Sequence, residues 1–292
     1  MPEKGVIGRP NRTLAGVRFS VPKQIIVGKG KAMKAKDFLT HCMAVGTWVD
    51  WQNTVDRFMF GDPEGDVTGI AVTWLATNAV LCEAAASGLN FVISHEGAFY
   101  PHFVGSKSED DHHKRKRALL RDRGITLMRC HDTWDRMPEF GIPDAWADFL
   151  GFPSEPRRLE SFYKVCRVDG LTVYEVATKI LEKTKVLGQS SVNVVGDMDK
   201  KVSRLAVGTG AITRLPDMYE MGADVVLATD DGTHTTYCGL WALDLGIPVL
   251  TVSHATAELP GMMRLADYVR REFPGIEARY LSCGFPSKSV MG

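Results

Sequence analysis

The sequence lacks the signals of a membrane or secreted protein. No window of its 292 residues holds the roughly 18 to 20 uninterrupted apolar residues that a membrane span requires, and the opening MPEKGVIGRPNRTLAG has no apolar stretch of a secretory signal. A soluble, cytoplasmic protein is expected. Excess charge is absent too: 35 Lys and Arg balance 35 Asp and Glu, so no long-range field draws the chain to nucleic acid, an anionic membrane or a polyacidic partner. The expected partner is a small-molecule substrate, with no nucleic acid and no membrane. Six cysteines (Cys42, Cys82, Cys130, Cys166, Cys238, Cys283) form no CxxC pair, which fits reduced thiols better than a disulfide framework or a thiolate zinc site. Any bound metal must then use imidazoles and carboxylates. A P-loop is missing as well. GTGA at 208–211 lacks the Lys and Ser/Thr that would complete one, no basic cluster at a strand end awaits a triphosphate, and GTGAIT reads as a tight strand-to-helix turn.

What the chain does have is alternation. Residues 1–33 carry Gly, Pro and basic residues without period and read as an extended arm, either a frayed end or a strap across a neighbouring subunit. After them, VTGIAVTW (67–74), NFVIS (90–94) and ITLMRC (125–130) read as buried strands. TNAVLCEAAASG reads as a helix ending at Gly88, and a second helix starts with Ser108 as N-cap before Glu109, Asp110 and Asp111 and runs to Gly124, its basic run forming a solvated face. A Pro-punctuated segment follows, then a strand in LESFYKVCRV and a helix over VYEVATKILEKT. SRLAVGTG, ADVVLA, IPVLTVS and IEARYLS continue as strands separated by helices. SGLNFVISHEG (87–97) and MGADVVLATDDG (221–232) echo each other in a helix-ending Gly, a buried strand and a polar cluster at its end.

The expected fold is therefore α/β: two similar lobes with mixed sheets flanked by helices, at 34–150 and 151–292, with C-terminal strands able to return to the first lobe. In such sheets ligands bind beyond the carboxyl ends of strands, and that is where the chemistry collects. His95 and Glu96 follow NFVIS, His131 and Asp135 follow ITLMRC, Asp230 and His234 follow ADVVLA, and His254 and Glu258 follow IPVLTVS. A single His or Asp at a strand end is more often a cap or a loop hydrogen bond. Four of eight histidines so placed, each with a carboxylate within four residues, exceed what caps account for. His41, His102, His112 and His113 lack that placement and read as surface or packing residues. Positions i and i+4 at a helix start put His254 and Glu258 on one face. Adjacent His95 and Glu96 point apart on extended backbone, so they can serve two ions. Mixed imidazole and carboxylate shells suit Fe, Mn, Zn or Ni.

These residues resemble the NIF-three-like dinuclear-metal hexamers, often called GTP cyclohydrolase I type 2. The pattern there is S-H-H-P, H-T-N-L-D, T-G-D-x-x-x-H and G-H-x-x-T-E. The counterparts here are S-H-E-G (94–97), H-D-T-W-D (131–135), A-T-D-D-G-T-H (228–234) and S-H-A-T-A-E (253–258), and WVDWQNTVDRFMFGDP matches W-D-N-V-G-L-x-x-G-D through Trp51, Asn53, Gly61 and Asp62. The resemblance spans roughly residues 34–285. It implies a homo-hexamer with two divalent transition metal ions in the cleft between the lobes, held by His95, Asp135, His254 and Glu258, with Glu258 bridging. Glu96, in place of the family's second His, is taken as a fifth ligand. His131, Asp230 and His234 then serve as acid/base groups.

The implied function is a metal-dependent hydrolase acting on a small heterocyclic or nucleotide-like substrate through a metal-bridging hydroxide; the alternative is a non-catalytic metal-binding interaction or carrier protein. Gly97 replaces Pro, and Trp134 replaces a small aliphatic residue, where it either stacks a planar ring or packs in the core. Glu96 brings one more negative charge and a harder donor than His, which shifts metal preference from Zn toward Fe or Mn.

Overall fold

The computed structural model describes residues 32–100 and 105–285. The arm at 1–33 lies outside the described residues except for its last two, and His102 lies outside them altogether.

The first lobe opens with α1 (Ala35–Val45), whose first turn is closed by the Asp37 carboxylate accepting from the Lys34 N–H at 2.8 Å. Next come β1 (Arg57–Phe60), β2 (Ile70–Thr73), α2 (Asn78–Ala86), β3 (Phe91–Ser94), α3 (Lys107–Asp122), β4 (Thr126–Arg129) and two short helices, α4 (Asp132–Arg136) and α5 (Ile142–Leu150). The second lobe holds β5 (Lys164–Thr172), α6 (Val173–Thr184), β6 (Asn193–Val195), β7 (Lys201–Val207), α7 (Leu215–Glu220), β8 (Val225–Thr229), α8 (Thr235–Leu245) and β9 (Val249–Val252). The long α9 (His254–Glu272) and β10 (Ala278–Tyr280) end the described chain. The N-cap of α3 is Ser106, two residues ahead of Ser108. Within its basic run Lys116 is buried, and its Nζ donates to the Ala76 carbonyl at 2.8 Å.

Two mixed five-stranded sheets result, in the orders β1-β4-β3-β2-β10 and β5-β7-β8-β9-β6. In the first, β1 alone runs antiparallel; in the second, β5 and β6 do so at the two edges. Strands β2, β3 and β8 are buried at every residue, as their uninterrupted apolar runs require when helices cover both faces. One face of the first sheet packs Phe38 of α1 and Leu259, Met262 and Leu265 of α9; the other packs Val80, Leu81 and Leu120 of α2 and α3. Each such side chain contributes about 1.5–3 kcal/mol of burial. On the second sheet, Val176 and Ile180 of α6 pack one face together with Ala257 of α9, and Leu215 and Met218 of α7 pack the other. Helix α9 therefore belongs to both cores, and β10 carries the chain back beside β2. No helix among the described residues is long and apolar enough to cross a membrane.

Close approach of α5 to α9 depends on Gly261. A Cβ there would lie 2.4 Å from Ile142 Cδ1 and 3.0 Å from Ile142 Cα, and the Gly261 carbonyl accepts from Trp134 Nε1 at 2.8 Å. Gly261→Ala should destabilise the fold by about 1–3 kcal/mol through this overpacking, read as a lowered denaturant midpoint. An unchanged midpoint would show that α9 has room to move.

Candidate metal centre

The carboxyl ends of the parallel strands in both sheets converge on one buried cluster. His95 and Glu96 extend the ladder beyond β3: the His95 N–H donates to Thr73 O (3.2 Å) and the Glu96 N–H to Trp74 O (2.9 Å). His131 caps the single turn of α4 and Asp135 lies within it, where Asp135 N–H donates to His131 O at 2.8 Å. His254 and Glu258 lie on the first turns of α9.

Glu258 is at the centre, only 2 % exposed. Its Oε2 is 3.2 Å from His95 Nε2 and its Oε1 is 2.9 Å from His254 Nε2. Asp135 places Oδ1 at 3.4 Å from His95 Nε2 and Oδ2 at 3.2 Å from His131 Nδ1. Glu96 Oε1 stands 3.7 Å from His254 Nε2. The rings of His95 and His131 stack at 4.4 Å. Two overlapping groups offer ligand atoms within 4.8 Å of one another: His95, His131 and Asp135, and His95, Glu96 and Glu258.

Tautomers follow from the outer partners. His95 Nδ1 faces the Cys130 carbonyl at 3.2 Å, an acceptor only, so Nδ1 carries the proton. His254 Nδ1 donates in the same way to Asp231 Oδ2 at 2.8 Å. Both neutral rings then turn an Nε2 lone pair toward carboxylate oxygens. Neither Nε2 has an aligned hydrogen-bond partner although both atoms are buried. Two inward imidazole lone pairs facing carboxylate oxygens, with no proton donor between the imidazole and carboxylate atoms, fit a cation, and the all-imidazole and carboxylate donor set fits a divalent transition metal. Without one, protons take its place. Burial pushes His95 and His254 down, but Glu258 and the neighbouring carboxylates outweigh it and hold them up at about 9 and about 10. Burial also works to raise Glu258, yet the same two imidazoles keep it well below the usual carboxylate range.

The structure thus brings together His95, Glu96, Asp135, His131, His254 and Glu258. It does not bring in His234, which is exposed and lies against Tyr237. Asp230 is also exposed, and its Oδ1 accepts the His254 backbone N–H at 2.7 Å, capping α9. Trp134 packs in the core, 1 % exposed, against Tyr268.

Four supporting residues escaped the sequence reading. Asp231, one position along the same T-D-D-G stretch, orients His254. Trp74 Nε1 donates to Glu258 Oε2 at 2.8 Å. Buried Asp56 accepts from the backbone N–H groups of Asp132 (2.9 Å) and Thr133 (2.8 Å) and from that of His131, fixing the turn that carries His131 and Asp135. Gly210, in the GTGA turn, has φ +66°, and a Cβ there would sit 3.0 Å from Glu258 Oε1 and 3.2 Å from His254 Nε2. That turn is a wall of the site and excludes any side chain at this position.

A direct contrast tests this geometry. Asp231→Ala should weaken divalent-metal binding by about 10- to 100-fold, as loss of a ligand's orienting partner does, whereas His234→Ala should leave it unchanged. Calorimetric titration of the two variants with Mn or Zn reads the difference, and equal affinities would remove Asp231 from the site.

Comparison with known proteins agrees with the architecture. A curated relative from Clostridium perfringens (strain 13 / Type A), described as a GTP cyclohydrolase 1 type 2 homolog, is 24% identical over 219 residues, covering 73% of this chain and 81% of that one. A hypothetical protein of Staphylococcus aureus superposes with TM-score 0.72 at 19% identity, over 89% of this chain and 100% of that one. A Bacillus cereus protein related to NIF3 does so with TM-score 0.72 at 13% identity, over 89% and 100%. These two share the fold. With residues 35–283 matching its pattern, the chain belongs to the Duf34/NIF3 (NGG1p interacting factor 3) family.

Proposed function

We propose that the chain is a dinuclear-metal-dependent hydrolase acting on a small heterocyclic or nucleotide-like substrate. The observation that carries this reading is Glu258, whose two carboxylate oxygens each face a different imidazole Nε2 that has no aligned hydrogen-bond partner. One carboxylate set between two such imidazoles suits two cations better than one. His95 and Asp135 would hold the ion on the Oε2 side, and His254 and Glu96 the ion on the Oε1 side. Two divalent ions supply Lewis acidity and make water nucleophilic near neutral pH. His131 is the proton-transfer residue. Its Nδ1 donates to Asp132 Oδ1 at 3.0 Å, and Asp132 is itself fixed by Thr54 Oγ1 (2.8 Å) and the Val55 N–H (3.2 Å). The bond to His131 and those two hydrogen bonds, working against burial, keep the Asp132 carboxyl far below its ordinary value, so Asp132 stays a carboxylate that orients the His131 ring.

Purified protein should carry about two transition-metal equivalents per chain, since these donors exceed what one ion usually takes from protein. Elemental analysis finding none after anaerobic reconstitution with Mn, Fe and Zn would sink the reading. With metal present, a panel of N-heterocycles, amides and phosphoesters should show turnover that chelation and Asp135→Ala abolish. His131→Gln should keep the metal and lose turnover; loss of metal instead would make His131 a ligand. Metal binding with no turnover in any member of the panel would favour the carrier reading. Glu96→His, loaded from equimolar Zn and Mn, should take up more Zn than the wild type, and an unchanged ratio would remove Glu96 from the ligand set.

The same reading includes a homo-hexamer. Its support on the surface is α8, whose Tyr237, Leu240 and Leu243 are 73%, 62% and 63% exposed, an apolar face that an isolated chain would leave in water. Sedimentation should give a hexamer that Leu240→Glu weakens, and a stable monomer at micromolar concentration would refute it.

A further inference from the structure

A cavity of about 430 Å³ opens beside Glu96, within the size range of small-molecule sites. Three arginines line it, Arg57 on β1, Arg117 on α3 and Arg129 on β4, together with the aromatic residues Phe99 and Tyr100. These arginines form no basic cluster in the sequence, because they come from three elements separated along the chain. Pairing makes them neighbours: Arg57 stands directly opposite Arg129 in the β1–β4 ladder. Like charges at opposed positions repel unless an anion lies between them.

Among the described residues, only one of the three charges is spent on a carboxylate. Arg129 Nη2 reaches Glu96 Oε2 at 3.1 Å, and its Nε donates to the His95 carbonyl at 2.9 Å. Arg57 and Arg117 form no ion pair with a carboxylate among the described residues; Arg117 lies instead over the Phe99 ring, 4.4 Å from its centroid. A larger cavity of about 690 Å³ on the second lobe does not compare. Its cations share the wall with Asp169 and Glu182, and Arg167 already pairs with Asp169 at 2.8 Å.

Glu96 connects the cavity to the cluster. Its Oε2 accepts from Tyr100 Oη and Arg129 on the cavity side, while its Oε1 faces His254 on the other. We infer that this cavity receives the oxyanion group, a phosphate or carboxylate, of a small planar ring compound whose scissile part then reaches the metal centre. Arg57 and Arg117 bind the oxyanion and Phe99 stacks the ring. The inference rests on the hydrolase reading for what happens next, but the binding step does not.

The test therefore uses the metal-free full chain, with phenyl phosphate, benzoate and inorganic phosphate as probes in calorimetric titration. Phenyl phosphate or benzoate should bind saturably at one site per chain. Arg57→Gln and Arg117→Gln should each weaken it by about tenfold, the effect of losing one charge-assisted hydrogen bond. Arg121→Gln, on the same helix but outside the cavity, should change nothing. Phe99→Ala should weaken phenyl phosphate more than inorganic phosphate. No saturable binding of either ring probe up to about 10 mM, or equal weakening by all three arginine variants, overturns the inference. A chain that proves to bind no metal while these titrations behave as stated defeats the hydrolase reading alone.

Discussion

Three carboxylates, Glu258, Asp135 and Glu96, are withdrawn from water at one point between the lobes, and most of the surrounding structure follows from what that demands. Buried anions need donors or cations. The protein supplies one indole N–H from Trp74, one phenol O–H from Tyr100, one guanidinium from Arg129 and imidazoles whose inward nitrogens are lone pairs in the neutral ring. Mutual repulsion would spread such a group apart unless rigid elements hold each member. Each therefore hangs from a strand end or a helix start, and α9 fixes the arrangement between the lobes by packing into the cores of both sheets.

The parts of this arrangement legible in the sequence are those with local causes. Buried strands read as apolar runs that follow a Gly, so β2, β3, β4, β8 and β9 appear in the sequence, and with them the strand-end positions of His95, His131 and His254. The i, i+4 relation of His254 and Glu258 is helix geometry and needed nothing more. What stayed hidden has nonlocal causes. β1 and β6 are short edge strands whose pairing depends on β4 and β9. Helix α5 reads as a Pro-punctuated segment, although Pro143 at its first turn is where a helix tolerates proline best.

Residues that position other residues were the least legible. Asp56 reaches His131 through a contact spanning 75 positions in the chain, and nothing in WVDWQNTVDRF separates it from Asp50. Asp230 and Asp231 are chemically identical neighbours; which one caps α9 and which one holds His254 is decided by the direction each side chain takes from the strand end. Gly210 looked like an ordinary turn glycine because the atoms it must avoid, on Glu258 and His254, are more than forty residues away.

The Glu96–Gly97 pair, where the pattern this stretch resembles has His-Pro, ties these threads together. The Gly97 N–H donates to Tyr100 Oη at 3.1 Å, and a Cβ at this position would meet the Tyr100 ring at 3.1–3.4 Å. Proline has no such N–H, and its ring would need the space Tyr100 fills. Tyr100 in turn donates to Glu96, and Arg129 completes that carboxylate. A carboxylate at 96 and a glycine at 97 are thus parts of one device. The glycine admits the tyrosine, and the tyrosine and arginine hold one oxygen of Glu96 away from the cluster, leaving the other directed at His254. The added negative charge is balanced by a guanidinium on its outer side and not by the cluster itself, so the cluster gains a carboxylate oxygen without gaining a full uncompensated charge.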